Sequence, residues 1–141
     1  MARETAAVRA DLRRQDAALR DRLAVSQAVL DLMLDPATRV VPLRGLAASP
    51  EAVGRVVWHD TEGGHLFVAN LPPPPAGKIY ALWTISEGQP RPAGLFTVDA
   101  SGRGSQPVPP ARGPVQIFAV TLEPAAGVPA PTGPMVLASA R

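Results

Sequence analysis

Proline and glycine are distributed very unevenly along this chain, and this distribution limits its fold more than any other feature. Residues 3 to 34 contain neither residue, whereas the rest of the chain holds all 17 prolines and all 12 glycines. Proline lacks a backbone donor and glycine gains backbone freedom, so both disfavour the interior of a helix. We therefore predict one long helix over residues 3 to 34, stopped by Asp35-Pro36.

The region after the helix consists of short β-type runs separated by turn signals. Such spacing is typical of an antiparallel sandwich. We predict a mainly β fold, an antiparallel β-sandwich of about seven strands over residues 39–141, preceded by a helical stalk over residues 1–38. The predicted strands are Arg39–Leu43, Gly54–His59, His65–Asn70, Lys78–Ile85, Gly94–Val98, Val115–Leu122 and Met135–Ala138.

The composition excludes several classes of protein. A formal net charge of +2 is too small to indicate binding to nucleic acid. The absence of cysteine excludes disulfides, thiolate catalysis and cysteine-ligated zinc. No apolar run reaches the roughly 18 residues that a membrane span requires, so we expect the chain as given to be soluble.

Catalytic and metal-binding signatures are weak. His59 and His65 flank a predicted hairpin loop over residues 60–64, and a metal site there would need Asp60 or Glu62 as a further ligand. We favour two surface histidines at strand ends. With no nucleophile elbow, phosphate loop or suggestive pair of carboxylates, we predict neither an enzyme nor a cofactor.

Three aromatic residues within the predicted strands allow two interpretations. Trp58, Tyr80 and Trp83 would form a stacking platform for sugars if their rings were exposed. They lie in apolar runs, and both faces of the strand around Tyr80 and Trp83 are largely apolar. We therefore predict that Tyr80 and Trp83 anchor the core, on a strand with a neighbour on each side.

The segment Thr121–Pro134 combines four prolines and two glycines with a single carboxylate, Glu123. Proline restricts and glycine extends the accessible backbone angles, so this composition indicates an ordered loop. Glu123 could bind a ligand or a cation, but we favour a carboxylate that accepts hydrogen bonds from amides and hydroxyls of its own segment. The candidate residues of this loop are Thr121, Glu123, Gly127, Thr132 and Gly133.

The predicted helix carries an apolar stripe with an eleven-residue period. Its residues are separated by 4, 7, 4, 7 and 4 positions, which corresponds to about 3.67 residues per turn. We predict self-association along this stripe, most simply as a dimer; the alternative is that the stripe folds back onto its own sandwich. The stripe consists of Val8, Leu12, Leu19, Leu23, Leu30 and Leu34.

Several motifs follow one another in a recognisable order. They are Leu71-Pro72, then the run from Gly77 to Trp83, then Pro92 to Phe96, Thr121 to Pro124 and Pro131 to Pro134. In this order and spacing the sequence resembles the C-terminal domain of membrane-anchored anti-sigma factors of the anti-sigma-K type. The resemblance covers the chain from about residue 28 to its end.

The resemblance implies a non-enzymatic sensory domain outside the bacterial inner membrane, in the periplasm or its equivalent. In such proteins a cytoplasmic segment sequesters an extracytoplasmic-function sigma factor, one transmembrane helix follows, and regulated proteolysis commonly releases the sigma factor. This chain has neither the family's His-x3-Cys-x2-Cys zinc signature nor a span. The expected partner is therefore an unknown signal partner or a regulatory protease, with the sigma factor bound by a segment absent here; the apolar stripe adds a second copy as a possible partner.

A different class of function stays open from the residues alone. The chain could be a secreted or surface β-sandwich module that binds carbohydrate or protein. A membrane span just upstream in the parent gene would favour the regulator, and a signal peptide would favour the binding module.

Overall fold

A computed structural model describes residues 2–140, so the outermost positions of the predicted stalk and sandwich, 1 and 141, lie outside it. The chain begins with α1, Ala2–Leu34, which confirms the predicted helix. Asp35 ends it: its carboxylate accepts a hydrogen bond from the Ala37 amide at 2.9 Å, and its carbonyl accepts one from the Thr38 amide at 3.0 Å. These bonds turn the chain towards the first strand.

Eight strands follow the helix, and all neighbouring pairs are antiparallel. They form one hydrogen-bonded sheet in the order β5-β4-β7-β8-β1-β2-β3-β6, which is nearly barrel-shaped. The strands are β1 Arg39–Gly45, β2 Val53–His59, β3 Gly63–Ala69, β4 Lys78–Ser86, β5 Gln89–Phe96, β6 Gly104–Val108, β7 Ile117–Pro124 and β8 Met135–Ser139.

The predicted β content and antiparallel pairing are confirmed, and the structure has eight strands where the sequence predicts about seven. The sequence predicts no strand between Val98 and Val115, whereas β6 begins at Gly104 and pairs with β3, with Ser105 opposite Phe67. The other edge strand, β5, begins at Gln89 instead of Gly94. Both edge strands contain proline, which is tolerated where one side of a strand has no neighbour but which conceals the strand in the sequence.

The inner face of the curved sheet forms the hydrophobic core. Trp58 packs edge-on against Phe118 with ring centroids 5.2 Å apart, and Tyr80 stacks on Phe96 at 5.8 Å. The Tyr80 hydroxyl also donates a hydrogen bond to the Pro72 carbonyl, which ties the proline-rich connector to the core. Tyr80 therefore lies within the core cluster.

Strand β4 is buried on both faces, because one face packs in the core and another segment of the chain lies over the other. It pairs with β5 on one side and β7 on the other, as expected of an internal strand. Tyr80 and Leu82 point into the core, whereas Ala81 and Trp83 occupy the outer face and are nonetheless only 2% and 1% exposed. A segment beyond β7 covers that outer face.

The last turns of helix α1 lie against β2 and β3. Val29 and Leu32 are half-buried there, over the outer face of the two strands. Residues 6–20 of the helix are all exposed. Most of α1 therefore stands clear of the sheet.

Candidate functional site

Residues 125–134, here called the strap, connect β7 to β8 and cross the outer face of the sheet beside Trp83. The predicted strand ends at Leu122 and the predicted loop begins at Thr121, whereas β7 continues through Glu123 to Pro124, with Lys78 opposite Pro124. Thr121, Leu122 and Glu123 alternate between the two faces of the sheet, as residues of a strand do.

Glu123 fastens the strap to the sheet. Its side chain has no solvent exposure, and its carboxylate accepts hydrogen bonds from the hydroxyls of Thr121 and Thr132, each at 2.5 Å. The backbone amides of Thr132 and Gly133 donate to the same carboxylate at 3.0 to 3.2 Å. Four donors from two parts of the chain thus converge on one buried charge.

Trp83 extends this network across the sheet. Its indole N–H donates to the Thr121 hydroxyl at 2.8 Å, and that hydroxyl donates in turn to Glu123 Oε2. A hydroxyl can accept one hydrogen bond and donate another at the same time. Thr121 therefore links Trp83 on β4 to Glu123, which binds the strap. The structure thus brings together four of the five candidate loop residues and Trp83. The four are Thr121, Glu123, Thr132 and Gly133.

Two glycines allow the strap to take its path. Gly127 has φ of +82° in the turn after Pro124, and its amide donates to the Pro124 carbonyl at 2.8 Å. A Cβ atom on Gly133 would lie 1.7 Å from the Leu122 carbonyl oxygen, so no other residue fits there without moving the backbone. The first glycine is needed for its backbone angle and the second for close approach.

The electrostatics of Glu123 favour the ionised carboxylate. Burial by itself raises the pKa of the carboxyl, but the bonds from Thr121, Thr132 and the strap amides outweigh it and leave the pKa below its ordinary value of 4.5. An anion with every oxygen engaged by protein donors is poorly suited to transfer protons. The geometry therefore assigns Glu123 to holding the strap.

An apolar cleft of about 270 Å³ lies beside this network. Trp83 and Ala81 form its floor, the edge strand contributes Pro92 and Leu95, and the strap contributes Val128. The rings of Trp58, Tyr80 and Trp83 are at most 3% exposed. These three rings therefore form no stacking platform for sugars.

A second junction, which the sequence analysis missed, joins α1 to the sheet. The Nδ1 atom of His59 accepts hydrogen bonds from the amides of Thr61 and Glu62 at 3.2 and 3.1 Å, so the ring proton resides on Nε2. Nε2 then donates to the Asp35 carboxylate at 3.1 Å. The residue that ends the helix is thereby fastened to the end of β2.

The prediction of two surface histidines is wrong for His65, which is 7% exposed beneath the last turns of α1. It lies opposite Val57, not opposite His59, and packs on Phe67 with ring centroids 4.9 Å apart. Burial lowers the pKa of its imidazole. The sequence offered no signal for this burial, because the helix that covers His65 lies some 30 residues away.

The described residues, 2–140, contain neither a metal-binding cluster nor a membrane-spanning helix. No group of three or more histidine, cysteine, aspartate or glutamate side chains in this range is placed to hold a metal ion. No helix in the described part of the chain combines the length and apolarity needed to cross a membrane.

The predicted stripe residues of α1 are all exposed. Val8, Leu12, Leu19, Leu23, Leu30 and Leu34 each retain between 56% and 81% of their accessible surface. The stripe does not fold back onto its own sheet, because the helix uses Val29 and Leu32 for that contact. Self-association stays a prediction.

Two curated relatives share part of this sequence. An uncharacterized protein in the phr 5' region of Streptomyces griseus is 38% identical over 85 residues, and an anti-sigma-K factor RskA of Mycolicibacterium vanbaalenii is 30% identical over 80 residues. Each match covers 57% of this chain and 34% of the relative, so the matched region spans about a third of the length of these relatives. None of the solved structures matches the chain.

The comparison with protein families covers much more of the chain. The family described as "Anti-sigma-K factor rskA, C-terminal" matches residues 2–135, which include α1, the sheet as far as the start of β8, Glu123 and the strap. This agrees with the resemblance drawn from the sequence motifs. The chain therefore belongs to the family of C-terminal domains of anti-sigma-K factors.

Proposed function

We propose that this chain is the extracytoplasmic regulatory part of a membrane-anchored anti-sigma factor that controls an extracytoplasmic-function sigma factor. The observation that carries the proposal is the family match, which covers the helix and the sheet as one unit. The helix of 33 residues would be about 50 Å long. Such a helix suits a stalk that holds the sheet away from a membrane.

The geometry supports a regulatory role that involves no catalysis. The fully buried carboxylate of Glu123 is held by four donors, and the strap that it fastens covers an internal strand. In the proposed mechanism the sheet receives a signal or shields a cleavage site near the membrane. The stalk then passes the change to the anchor through the Asp35–His59 junction.

Release of the sigma factor would follow when a protease cuts the anti-sigma factor. The sigma factor would be bound by a segment outside residues 2–140, since the chain has no cysteine for the family's zinc signature. A surface module that binds protein is the second candidate. It is favoured by an apolar groove of about 590 Å³ between Met33 and Phe67, which are 59% and 38% exposed.

A cysteine label can test on which side of the membrane this chain lies, because the chain itself contains no cysteine. Ala100 is exposed at the turn before β6, so Ala100→Cys in the full parent protein should react with a membrane-impermeant maleimide in intact cells. The unchanged parent is the control for labelling elsewhere. Labelling that requires cell lysis would contradict the extracytoplasmic assignment.

Regulation can be tested in the same parent protein with a reporter for the sigma factor. Removing residues 39–140 should change reporter expression at least about tenfold, because the anti-sigma factor would lose its controlling domain. The same cells should show altered amounts of the shortened anti-sigma fragment on a blot. Unchanged reporter expression and an unchanged fragment pattern would contradict a regulatory role and favour the binding module.

A further inference from the structure

Helix α1 has two separate apolar faces, and only one of them is used within the chain. Val29 and Leu32 contact the sheet, whereas Leu30 and Leu34 are 56% and 81% exposed. At about 100° per residue, the midpoint of the sheet-facing pair lies roughly 130° around the helix from Leu30. Docking on the sheet therefore leaves the stripe free along its whole length.

An exposed apolar stripe of this size needs a partner. An amphipathic helix normally buries its apolar stripe, and contiguous exposed apolar surface marks an interaction site. The polar side chains around it already form local pairs, namely Asp16 with Arg20 at 2.9 Å and Asp11 with Gln15 at 3.1 Å. These pairs leave the apolar stripe uncovered.

We propose that the stripe is the interface of a parallel homodimer, in which α1 of one copy packs along α1 of a second copy. A stripe with regular spacing is complementary to itself, because equal steps on two parallel helices bring the same residues to the same level. Val8, Leu19 and Leu30 form one row and Leu12, Leu23 and Leu34 the other. Each row meets its counterpart in the second copy.

The charges beside the stripe suit a second copy. Asp11 lies on one flank of the stripe, and Arg9 and Arg13 lie on the other; all three are exposed. In a parallel pair the opposite flanks of the two helices face each other, so the Asp11 flank of one copy meets the Arg9 and Arg13 flank of the other. The arrangement occurs twice because of the two-fold axis.

The area of the stripe predicts a weak dimer. From Val8 to Leu34 it is about 39 Å long and roughly 10 Å wide, hence about 400 Å² of contact on each copy. This is below the roughly 800 Å² per partner of a standard stable interface. Gln15 and Ser26 interrupt the stripe with polar groups. The dimer should therefore form in the micromolar range, and tethering both copies in one membrane would strengthen it.

The test measures the mass of the whole chain by sedimentation equilibrium from low to high micromolar concentration. The mass should rise towards that of a dimer, and Leu19→Asp and Leu23→Asp should each raise the dissociation constant at least tenfold. Ala10→Asp and Ala17→Asp add the same charge on the opposite face and should leave the mass curve unchanged. Circular dichroism checks that each variant keeps its helix. A chain that stays monomeric, or equal effects on both faces, would overturn the proposal.

Disulfide trapping tests whether the two helices of the dimer are parallel. The parallel orientation rests on the proposed function, because a membrane anchor would hold both stalks at the same end. Val8→Cys should form a disulfide dimer on mild oxidation, whereas Ala10→Cys should not. In an antiparallel pair two Val8 positions would lie about 39 Å apart, far beyond disulfide reach. Trapping only in a mixture of Val8→Cys and Leu34→Cys chains would overturn the parallel arrangement. The labelling of Ala100→Cys would still report separately on the membrane side.

Discussion

Replacing Trp83 with alanine should lower the free energy of unfolding by about 3–5 kcal/mol, as is usual for a buried tryptophan. The ring is 1% exposed between β4 and the strap, so its removal leaves a cavity on the outer face of the sheet. The variant also removes the donor to the Thr121 hydroxyl. Chemical denaturation followed by far-ultraviolet circular dichroism measures the change.

Two further variants separate packing from hydrogen bonding at this position. Trp83→Phe keeps most of the ring but loses the indole N–H, and should cost less than Trp83→Ala by about 2 kcal/mol. Leu95→Ala is the matched control, because Leu95 borders the same cleft but is 42% exposed. A loss below about 1 kcal/mol for Trp83→Ala would show that the ring is not packed as described.

Removing the carboxylate of Glu123 should lower the free energy of unfolding by about 3 kcal/mol. Glu123→Ala leaves the hydroxyls of Thr121 and Thr132 and two strap amides without their acceptor, and hydrogen bonds to a buried charge contribute about 1.5–3 kcal/mol each. Part of the loss is recovered when the strap opens to water. Hydrogen exchange should accordingly show faster exchange of the Thr132 and Gly133 amides.

The same residue predicts how stability depends on pH. The pKa of Glu123 in the folded state lies below its ordinary value of 4.5, so the unfolded chain binds a proton more readily. The stabilisation is complete above about pH 5 and is lost as the pH falls through the folded pKa. Glu123→Gln should remove this part of the acid sensitivity. Glu51→Gln, at an exposed position, should retain it.

Denaturation curves between about pH 3 and pH 7 compare the three chains. If the chain with Glu123→Gln loses as much stability on acidification as the unchanged chain, the carboxylate is not the anion that the structure indicates. If Glu123→Ala destabilises the chain no more than Glu51→Gln does, the strap does not depend on the carboxylate. These measurements use the chain alone and need neither a sigma factor nor a membrane.

Residue types along the sequence determined the helix, most of the strands and the family of this protein. The absence of proline and glycine before Pro36 predicted α1 to within one residue at its start and at the correct residue at its end. Alternating apolar residues predicted most of the strands, because a strand shows its two faces through a period of two residues. The motif order indicated the family, which the match over residues 2–135 bears out.

The tertiary structure decided which faces are covered. The sequence did not show that the strap buries Trp83 or that α1 buries His65, since each cover lies far away along the chain. It also did not show that β5 and β6 are edge strands, where proline does no harm because one side has no neighbour. Burial and pairing depend on which distant segment arrives at a surface, and that is a property of the whole packed fold.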